Sequence, residues 1–345
     1  FTNFDDADNP KLHELREVKA EASRCLFPVL GMTLNLTGAG RLDWTERKGA
    51  SFTATPLHCG AGYAHAGRGA FVDSEFYAWC DAESKHRARA TGISLGTAMT
   101  ISGAAVSPNW GYHSSSLAAF LMTLFNVRLG AWLPNPVCAH PRNLELAKPE
   151  NVFQALSAEL LGSANDTQQA IYLSDGGHFD NLGIYEMLRR RCTVILAIDA
   201  DADPDCRLFD LGAVLRRAEI DMDVTVEWTG WVSSRKARTA EAKGLGFGLI
   251  TYKEGTEGVL VYLKPDYAPD LPVSIRAYGD EHTRFPHEST LDQWFTESQF
   301  ESYRALGEFQ ATRMLKQGGV ALSAALSPQV GWDPGGGALK AALAG

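Results

Sequence analysis

Residues 170–198 read AIYLSDGGHFDNLGIYEMLRRRCTVILAI and carry the clearest structural pattern in the chain. Residues 170–173 are apolar and predict a short buried strand, which a Ser-Asp-Gly-Gly turn follows. Residues 182–191 predict a helix, and residues 193–198 predict a second apolar strand. A strand, a loop, a helix and a strand in this order favour a parallel sheet covered by helices, and therefore a fold of the α/β class.

Weaker patterns lie on both sides of this unit. Residues 26–36 are apolar and predict a buried strand, whereas residues 44–89 contain several closely spaced glycines and predict no long element. Residues 117–125 (LAAFLMTLF) predict a helix about half as long as a membrane span. A hairpin is predicted around residues 254–258, and residues 294–309 carry apolar side chains at the spacing of an amphipathic helix.

The composition describes a globular protein with an acidic surface. The chain has 345 residues, 45% of them hydrophobic, which is enough for a large core, and we expect one domain over residues 1–320 followed by a loose Gly/Ala-rich tail over residues 321–345. A net charge of −9 argues against nucleic acid as a partner, because no excess of lysine and arginine is available to neutralise phosphates.

The cysteines and the first residues bear on the cellular compartment. The six cysteines are scattered without a Cys-x-x-Cys pair, so we expect reduced thiols and a cytoplasmic setting. Residues 1–19 lack the apolar region of a signal peptide. A first residue of Phe rather than Met suggests a processed or incomplete chain.

Asp175 is the leading candidate for a catalytic residue. It ends a predicted strand, where α/β proteins place their ligands, and Gly176 and Gly177 allow the backbone to turn sharply after it. Asp180 or Asn181 can cap the helix that follows. The alternative is an ordinary turn in which Asp175 only accepts backbone hydrogen bonds, and the spacing alone favours neither interpretation.

The surrounding sequence resembles a known family. Residues 172–204, YLSDGGHFDNLGIYEMLRRRCTVILAIDADADP, resemble the Asp-Gly-Gly/Ala region of bacterial patatin-like phospholipases. SGAAVSPN at residues 102–109 is similar to the Ala-Ala-Pro stretch that these enzymes carry between their serine and their aspartate. Residues 34–60 and 285–308 also resemble segments of that branch, so the likeness covers most of residues 34–308.

The resemblance implies a fold, a reaction and a set of residues. The fold would be a patatin-like three-layer α/β/α arrangement with a mostly parallel central sheet, of which this chain is the C-terminal part. The reaction would be hydrolysis of phospholipid or acylglycerol esters by a Ser-Asp dyad without cofactor, with Asp175 as base and Gly176 and Gly177 completing its motif. The expected partners are a lipid ester substrate and a membrane surface, and the expected location is cytoplasmic or membrane-associated.

The sequence departs from the family pattern at the nucleophile. Neither a Gly-Gly-Gly-x-Arg loop nor a convincing Gly-x-Ser-x-Gly elbow precedes residue 102, so we expect both in an upstream segment absent from this chain. One literal match, Gly-Ile-Ser-Leu-Gly at residues 92–96, contains Ser94, but the charged residues before it are unlike the buried strand of an elbow. Two alternatives therefore stay open, a catalytically silent binding or scaffold module and a self-contained esterase that uses Ser94.

Several other residues have the chemistry of a site, but for each of them a structural interpretation is favoured. His178 invites a Ser-His-Asp triad, although a loop histidine more often makes a structural hydrogen bond. The alternating Asp199, Asp201 and Asp203 lack the glycine and the distant glutamate of a calcium loop. The adjacent His58 and Cys59 lack the spacing of a zinc site, so the sequence predicts no metal. The remaining candidates are Arg128, for a lipid phosphate or a carboxylate, and Phe120, Leu121, Leu124 and Phe125, for an acyl chain, a membrane surface or the core.

Overall fold

The computed structural model describes residues 8–17, 26–36, 47–62, 70–77, 92–104, 130–137, 168–229, 244–268, 270–289 and 294–317. The chain divides into two compact units, Phe1–Asn181 and Leu182–Gly345. The division falls inside the single domain predicted for residues 1–320. The predicted helix at residues 117–125, the apolar candidates within it, Arg128 and the predicted tail at residues 321–345 lie outside the described residues.

The N-terminal unit is built on a six-stranded sheet with the order β4-β3-β2-β1-β6-β5. Every neighbouring pair in this sheet is antiparallel. Helix α1 (Leu95–Ser102) packs against β1 and β6, and two 3-10 helices span Leu12–Glu17 and Ser74–Phe76. The strands are β1 (Leu30–Asn35), β2 (Gly49–Ala54), β3 (His58–Ala61), β4 (Ala70–Asp73), β5 (Ala131–Pro134) and β6 (Ala170–Asp175).

Strand β1 is central to the packing of this unit. Successive residues of a strand point to opposite faces of the sheet. Met32 and Leu34 join a hydrophobic core with Phe52 of β2, whereas Thr33 and Asn35 are completely buried on the other face. The sheet face that carries Met32 and Leu34 is therefore apolar, and the face that carries Thr33 and Asn35 contains buried polar groups.

The C-terminal unit contains a four-stranded sheet with the order β7-β10-β9-β8. Its strands are β7 (Val194–Ile198), β8 (Thr225–Thr229), β9 (Leu245–Thr251) and β10 (Glu257–Leu263). The predicted hairpin is confirmed, because β9 and β10 pair antiparallel on either side of the predicted turn. The helices of this part of the chain are α3 (Ile184–Arg189), α4 (Phe209–Met222), α5 (Val273–Glu281) and α6 (Glu297–Gln317), and a short helix, α2 (Gly177–Asp180), ends the N-terminal unit.

Helix α6 lies where an amphipathic helix was predicted and begins with a capping box, although Trp294 and Phe295 precede it and Phe300 is exposed. The Thr296 hydroxyl accepts a hydrogen bond from Gln299 N at 3.2 Å, and the Gln299 side chain accepts one from Thr296 N at 3.4 Å. This reciprocal pair satisfies two backbone N–H groups at the helix start. Among the described helices, none is both long and apolar enough to cross a lipid bilayer.

The structure does not confirm one prediction about the strands, and it contains three short strands that the sequence did not predict. The strands on either side of the Asp-Gly-Gly turn belong to different sheets: β6 pairs antiparallel with β1 and β5, and β7 pairs parallel with β10. Among the described strands only β7 and β10 are parallel, so the predicted mostly parallel sheet is not confirmed and the fold is mixed α/β. Residues 44–89, for which no long element was predicted, contain β2, β3 and β4, whose four to six residues are too few to show a clear period.

Candidate active site

Asp175 ends strand β6, between β1 and β5 in the six-stranded sheet. Its side chain is half-buried, and its Oδ1 atom accepts a hydrogen bond from Gly177 N at 2.7 Å. In the antiparallel register Asp175 lies opposite Met32 of β1. The carboxylate is thus fixed by a local turn and stays accessible from one side, as a general base requires.

Gly176 brings the main chain into direct contact with β1. A Cβ atom at this position would lie 2.5 Å from the Gly31 carbonyl oxygen, which leaves no room for any side chain. Gly176 N donates a hydrogen bond to Ser102 O at 3.1 Å, at the C-terminal end of α1. Its φ of −59° is open to all residues, so glycine is needed for the close approach and not for the backbone angle.

Gly177 has a different reason to be glycine. A Cβ atom there would lie 2.9 Å from Asn181 Oδ1 and 3.1 Å from Asp175 Oδ1. Any side chain would therefore crowd the carboxylate that Gly177 N holds in place. Glycine is therefore required at position 176 by a backbone contact with β1, whereas at position 177 a side chain would displace the side-chain oxygens of Asn181 and Asp175.

Two hydroxyl groups that the sequence did not single out for chemistry make hydrogen bonds at this loop and at the β1 residue beside it. Thr33 Oγ1 donates a hydrogen bond to the Asp175 carbonyl oxygen at 2.7 Å, and Ser102 Oγ donates one to Gly31 O at 2.6 Å. The available signal was a threonine inside an apolar strand. Threonine is common in strands, however, so Thr33 could not be recognised as a contact of the loop until its partner in β6 was known.

The residue before Asp175 points to the opposite face and belongs to a buried polar cluster. Ser174 Oγ accepts a hydrogen bond from Asn35 Nδ2 at 2.9 Å and lies 3.2 Å from His178 Nδ1. Ser174 and Asn35 have no exposed surface. His178 therefore makes a structural hydrogen bond, and its serine partner is not accessible to a substrate.

Ser94 is the N-cap of helix α1. Its Oγ accepts a hydrogen bond from Thr97 N at 3.2 Å and donates one to Thr97 Oγ1 at 2.9 Å, and the residue is buried. The opposite end of α1, at Ser102, is the end that contacts the Asp175 loop. Eight residues of α-helix span about 12 Å, so this arrangement argues against a dyad of Ser94 with Asp175.

Comparison with known proteins gives one informative likeness. No protein-family model matches the sequence, and no curated protein sequence matches it. Among solved structures, human GIVD cytosolic phospholipase A2 superimposes with a TM-score of 0.50 and 13% sequence identity. The chain has a phospholipase-like fold. The superposition covers 97% of this chain and 47% of that protein, so the chain spans less than half of the phospholipase's length.

The three aspartates after β7 form structural contacts. Asp199 is buried, forms an ion pair with Lys264 at 3.0 Å and accepts a hydrogen bond from the Tyr262 hydroxyl. Asp199 Oδ1 also accepts from Asp201 N at 2.9 Å. The Asp203 carboxylate accepts from two backbone N–H groups just before α4, at 2.9 and 2.8 Å. These carboxylates stabilise the turn that leads into α4.

The other candidate metal ligands are not assembled into a site within the described part of the chain. His58 is exposed at the start of β3, whereas Cys59 is completely buried. Burial raises the pKa of the Cys59 thiol to about 12, so it stays protonated and is a poor ligand. No group of three or more potential metal ligands occurs among the described residues.

Proposed function

We propose that the protein is a lipid acyl hydrolase that cleaves phospholipid or acylglycerol esters with a Ser-Asp dyad, in which Asp175 is the base. The observation that supports this most directly is the accessible carboxylate of Asp175, fixed at the end of β6 by Gly177 N at 2.7 Å, within a phospholipase-like fold. The sequence resemblance to patatin-like phospholipases, which covers most of residues 34–308, agrees with it. A membrane surface and a cytoplasmic or membrane-associated location belong to the same proposal.

The chemistry would proceed in two steps. The Asp175 carboxylate accepts the proton of the serine hydroxyl while the serine oxygen attacks the ester carbonyl, and the proton then passes to the leaving alcohol. Backbone N–H groups of a glycine-rich loop would stabilise the oxyanion, which is worth about 3–4 kcal/mol per donor. In the second step Asp175 takes a proton from the attacking water and returns it to the serine oxygen, as the acyl-enzyme is cleaved and the fatty acid is released.

The serine of the dyad is proposed to lie upstream of residue 1. This proposal rests on the resemblance, because that family carries its glycine-rich loop and its nucleophile before the Ala-Ala-Pro-like stretch. It also agrees with the position of Ser94, whose hydroxyl caps α1 at the end far from Asp175. Residues 1–345 would then supply the base, and the preceding segment would supply the nucleophile and the oxyanion donors.

Labelling with a serine-directed fluorophosphonate tests the proposal. We would compare this chain with a version extended upstream in its reading frame, each as wild type and as Asp175→Asn. Labelling of the extended chain should fall by about 10²- to 10⁴-fold in Asp175→Asn, because the serine loses its base. Asp175-independent labelling of the extended chain would contradict the dyad.

The variant Ser94→Ala tests the self-contained esterase, and the labelling of both chain lengths tests the catalytically silent module. We expect this variant to lose about 1 kcal/mol of stability through the missing N-cap and to keep the labelling of the extended chain. Loss of labelling in Ser94→Ala would instead support a self-contained esterase. If neither length of the chain is labelled, the catalytically silent module becomes the better description.

A further inference from the structure

We propose that Thr33 is a positioning residue for the base, with Ser102 as a second tie, so that the Thr33 hydroxyl and the Ser102 carbonyl oxygen fix the peptide after Asp175 and thereby aim its carboxylate. This inference rests on the proposed function. Neither side chain is assigned to touch a substrate. Their contribution would be to fix the main chain on both sides of the peptide that joins Asp175 to Gly176.

The contact of Thr33 is direct, and Thr33 itself is fully buried. Thr33 has no exposed surface, and its Oγ1 donates to the Asp175 carbonyl oxygen at 2.7 Å and lies 3.4 Å from the Gly176 carbonyl oxygen. A buried hydroxyl without a partner is costly, so this hydrogen bond holds strand β1 and the loop together.

The rotamer of Thr33 is also restricted by packing. A Cβ atom at Gly49 of the neighbouring strand would lie 3.0 Å from the Thr33 Cγ2 methyl group. The methyl group thus occupies the space above a glycine while the hydroxyl faces the loop. A β-branched side chain has few χ1 rotamers, so the hydroxyl is held in its donating position before any substrate arrives.

Ser102 ties the same loop to a helix. Its hydroxyl donates to Gly31 O at 2.6 Å, and its carbonyl oxygen accepts from Gly176 N at 3.1 Å. One residue at the end of α1 therefore joins the start of β1 to the residue after the base. With Thr33, this gives the loop hydrogen bonds from two elements that are far apart in the sequence.

Such ties matter because proton transfer depends steeply on geometry. Rotation of the peptide whose carbonyl Thr33 holds would displace Gly177 N, and the Asp175 carboxylate would lose the hydrogen bond that fixes it. A misplacement of about 1 Å near a reacting group can lower a rate about a hundredfold. Thr33 should accordingly affect the rate at which the nucleophile reacts more than it affects folding.

The experiment measures fluorophosphonate labelling rates of the upstream-extended protein and its variants. Thr33→Val keeps the shape and removes the hydroxyl, and we expect its labelling rate to fall about ten- to a hundredfold. Thr33→Ser keeps the hydroxyl and should stay within about threefold of wild type, since the donor that holds the loop is retained. Ser102→Ala should give a smaller loss than Thr33→Val, because its carbonyl contact with Gly176 remains.

Two further variants distinguish positioning from folding. Thr55→Val removes another buried threonine hydroxyl, which donates to His58 O at 2.8 Å in a turn between β2 and β3, and should leave the labelling rate unchanged. The double variant Asp175→Asn/Thr33→Val should label as slowly as Asp175→Asn alone, because Thr33 acts through Asp175.

The outcomes separate this inference from the proposed function. Three results would overturn the positioning role while leaving the dyad intact. Thr33→Val could label at the wild-type rate, Thr33→Ser could lose as much labelling rate as Thr33→Val, or Thr55→Val could lose as much as Thr33→Val. If Asp175→Asn itself does not slow labelling, the dyad fails and the positioning role fails with it.

Discussion

Asp175 and Asp199 both come at the end of an apolar strand, yet they have opposite environments. Asp175 ends β6, is half-buried and accepts a hydrogen bond from Gly177 N. Asp199 follows β7, is 3% exposed, and pairs with Lys264, whose Nζ lies 3.0 Å from its Oδ2 atom. Among the described residues, no lysine or arginine forms an ion pair with Asp175.

The difference shows what separates a candidate base from a structural acid. A carboxylate that a buried ammonium group neutralises is already satisfied and is shielded from a substrate. A carboxylate held only through a backbone N–H keeps an oxygen available for a proton. Position at the end of a strand is therefore insufficient, and among the described residues Asp175 differs from Asp199 by its partial exposure and by having no ion pair with a lysine or arginine.

The largest effect on stability is expected when the cation beside Asp199 is removed. Lys264→Met leaves a buried carboxylate without its ion pair, so we expect the free energy of unfolding to fall by about 3–5 kcal/mol. Urea denaturation followed by tryptophan fluorescence would measure it. Arg304→Met, which breaks ion pairs on the exposed side of α6, is the matched control and should change the midpoint little. Equal small effects in both variants would mean that Asp199 is not structural.

An intermediate effect is expected at the Asp175 loop itself. In Gly176→Ala the new Cβ atom would meet the Gly31 carbonyl oxygen at 2.5 Å, so a backbone shift must follow, at a cost of about 1–3 kcal/mol. Gly31→Ala is the control, because a Cβ atom there meets nothing within 4 Å. Thermal unfolding and labelling of both variants would be compared. If both variants behave alike, the close approach of the loop to β1 is not a requirement.

The smallest expected effect is a pH-dependent change in stability at Asp201, two residues after Asp199. Burial, followed by the charges of Asp210 and Asp199, raises the pKa of the Asp201 carboxyl group, and Lys264 opposes them. Protonated Asp201 therefore stabilises the fold below its ordinary pKa of about 3.9, and this contribution is lost as the pH rises through the raised value. At pH 7 the ionised group is unfavourable.

Asp201→Asn should consequently stabilise the protein at pH 7 by less than about 1 kcal/mol, because solvent screens a half-buried group. The advantage over wild type should shrink as the pH falls through the raised pKa of Asp201 and should be lost below about 4. Urea unfolding of both proteins over a pH series would measure this difference. A difference that stays constant with pH would show that Asp201 does not titrate in the way its surroundings indicate.

Local sequence patterns predicted the local elements well. The strand before Asp175, the helix and strand after it, the hairpin of β9 and β10, and helix α6 all follow from hydrophobic period and turn residues. The same patterns identified Asp175 as a candidate, because a strand end followed by two glycines is a local signal. They missed β2, β3 and β4, which are only four to six residues long and are stabilised by pairing with neighbouring strands.

By itself, the sequence determined which residues of this protein could form strands, helices and the Asp-Gly-Gly turn, since these depend on side chains a few positions apart. Only the tertiary structure decided that β6 pairs antiparallel with β1, so that Thr33 holds the Asp175 peptide, and that Lys264 neutralises Asp199. Thr33 and Asp175 are 142 residues apart. A hydrogen bond or an ion pair forms wherever the packed chain brings two groups together, and no periodic pattern records which distant partner that will be.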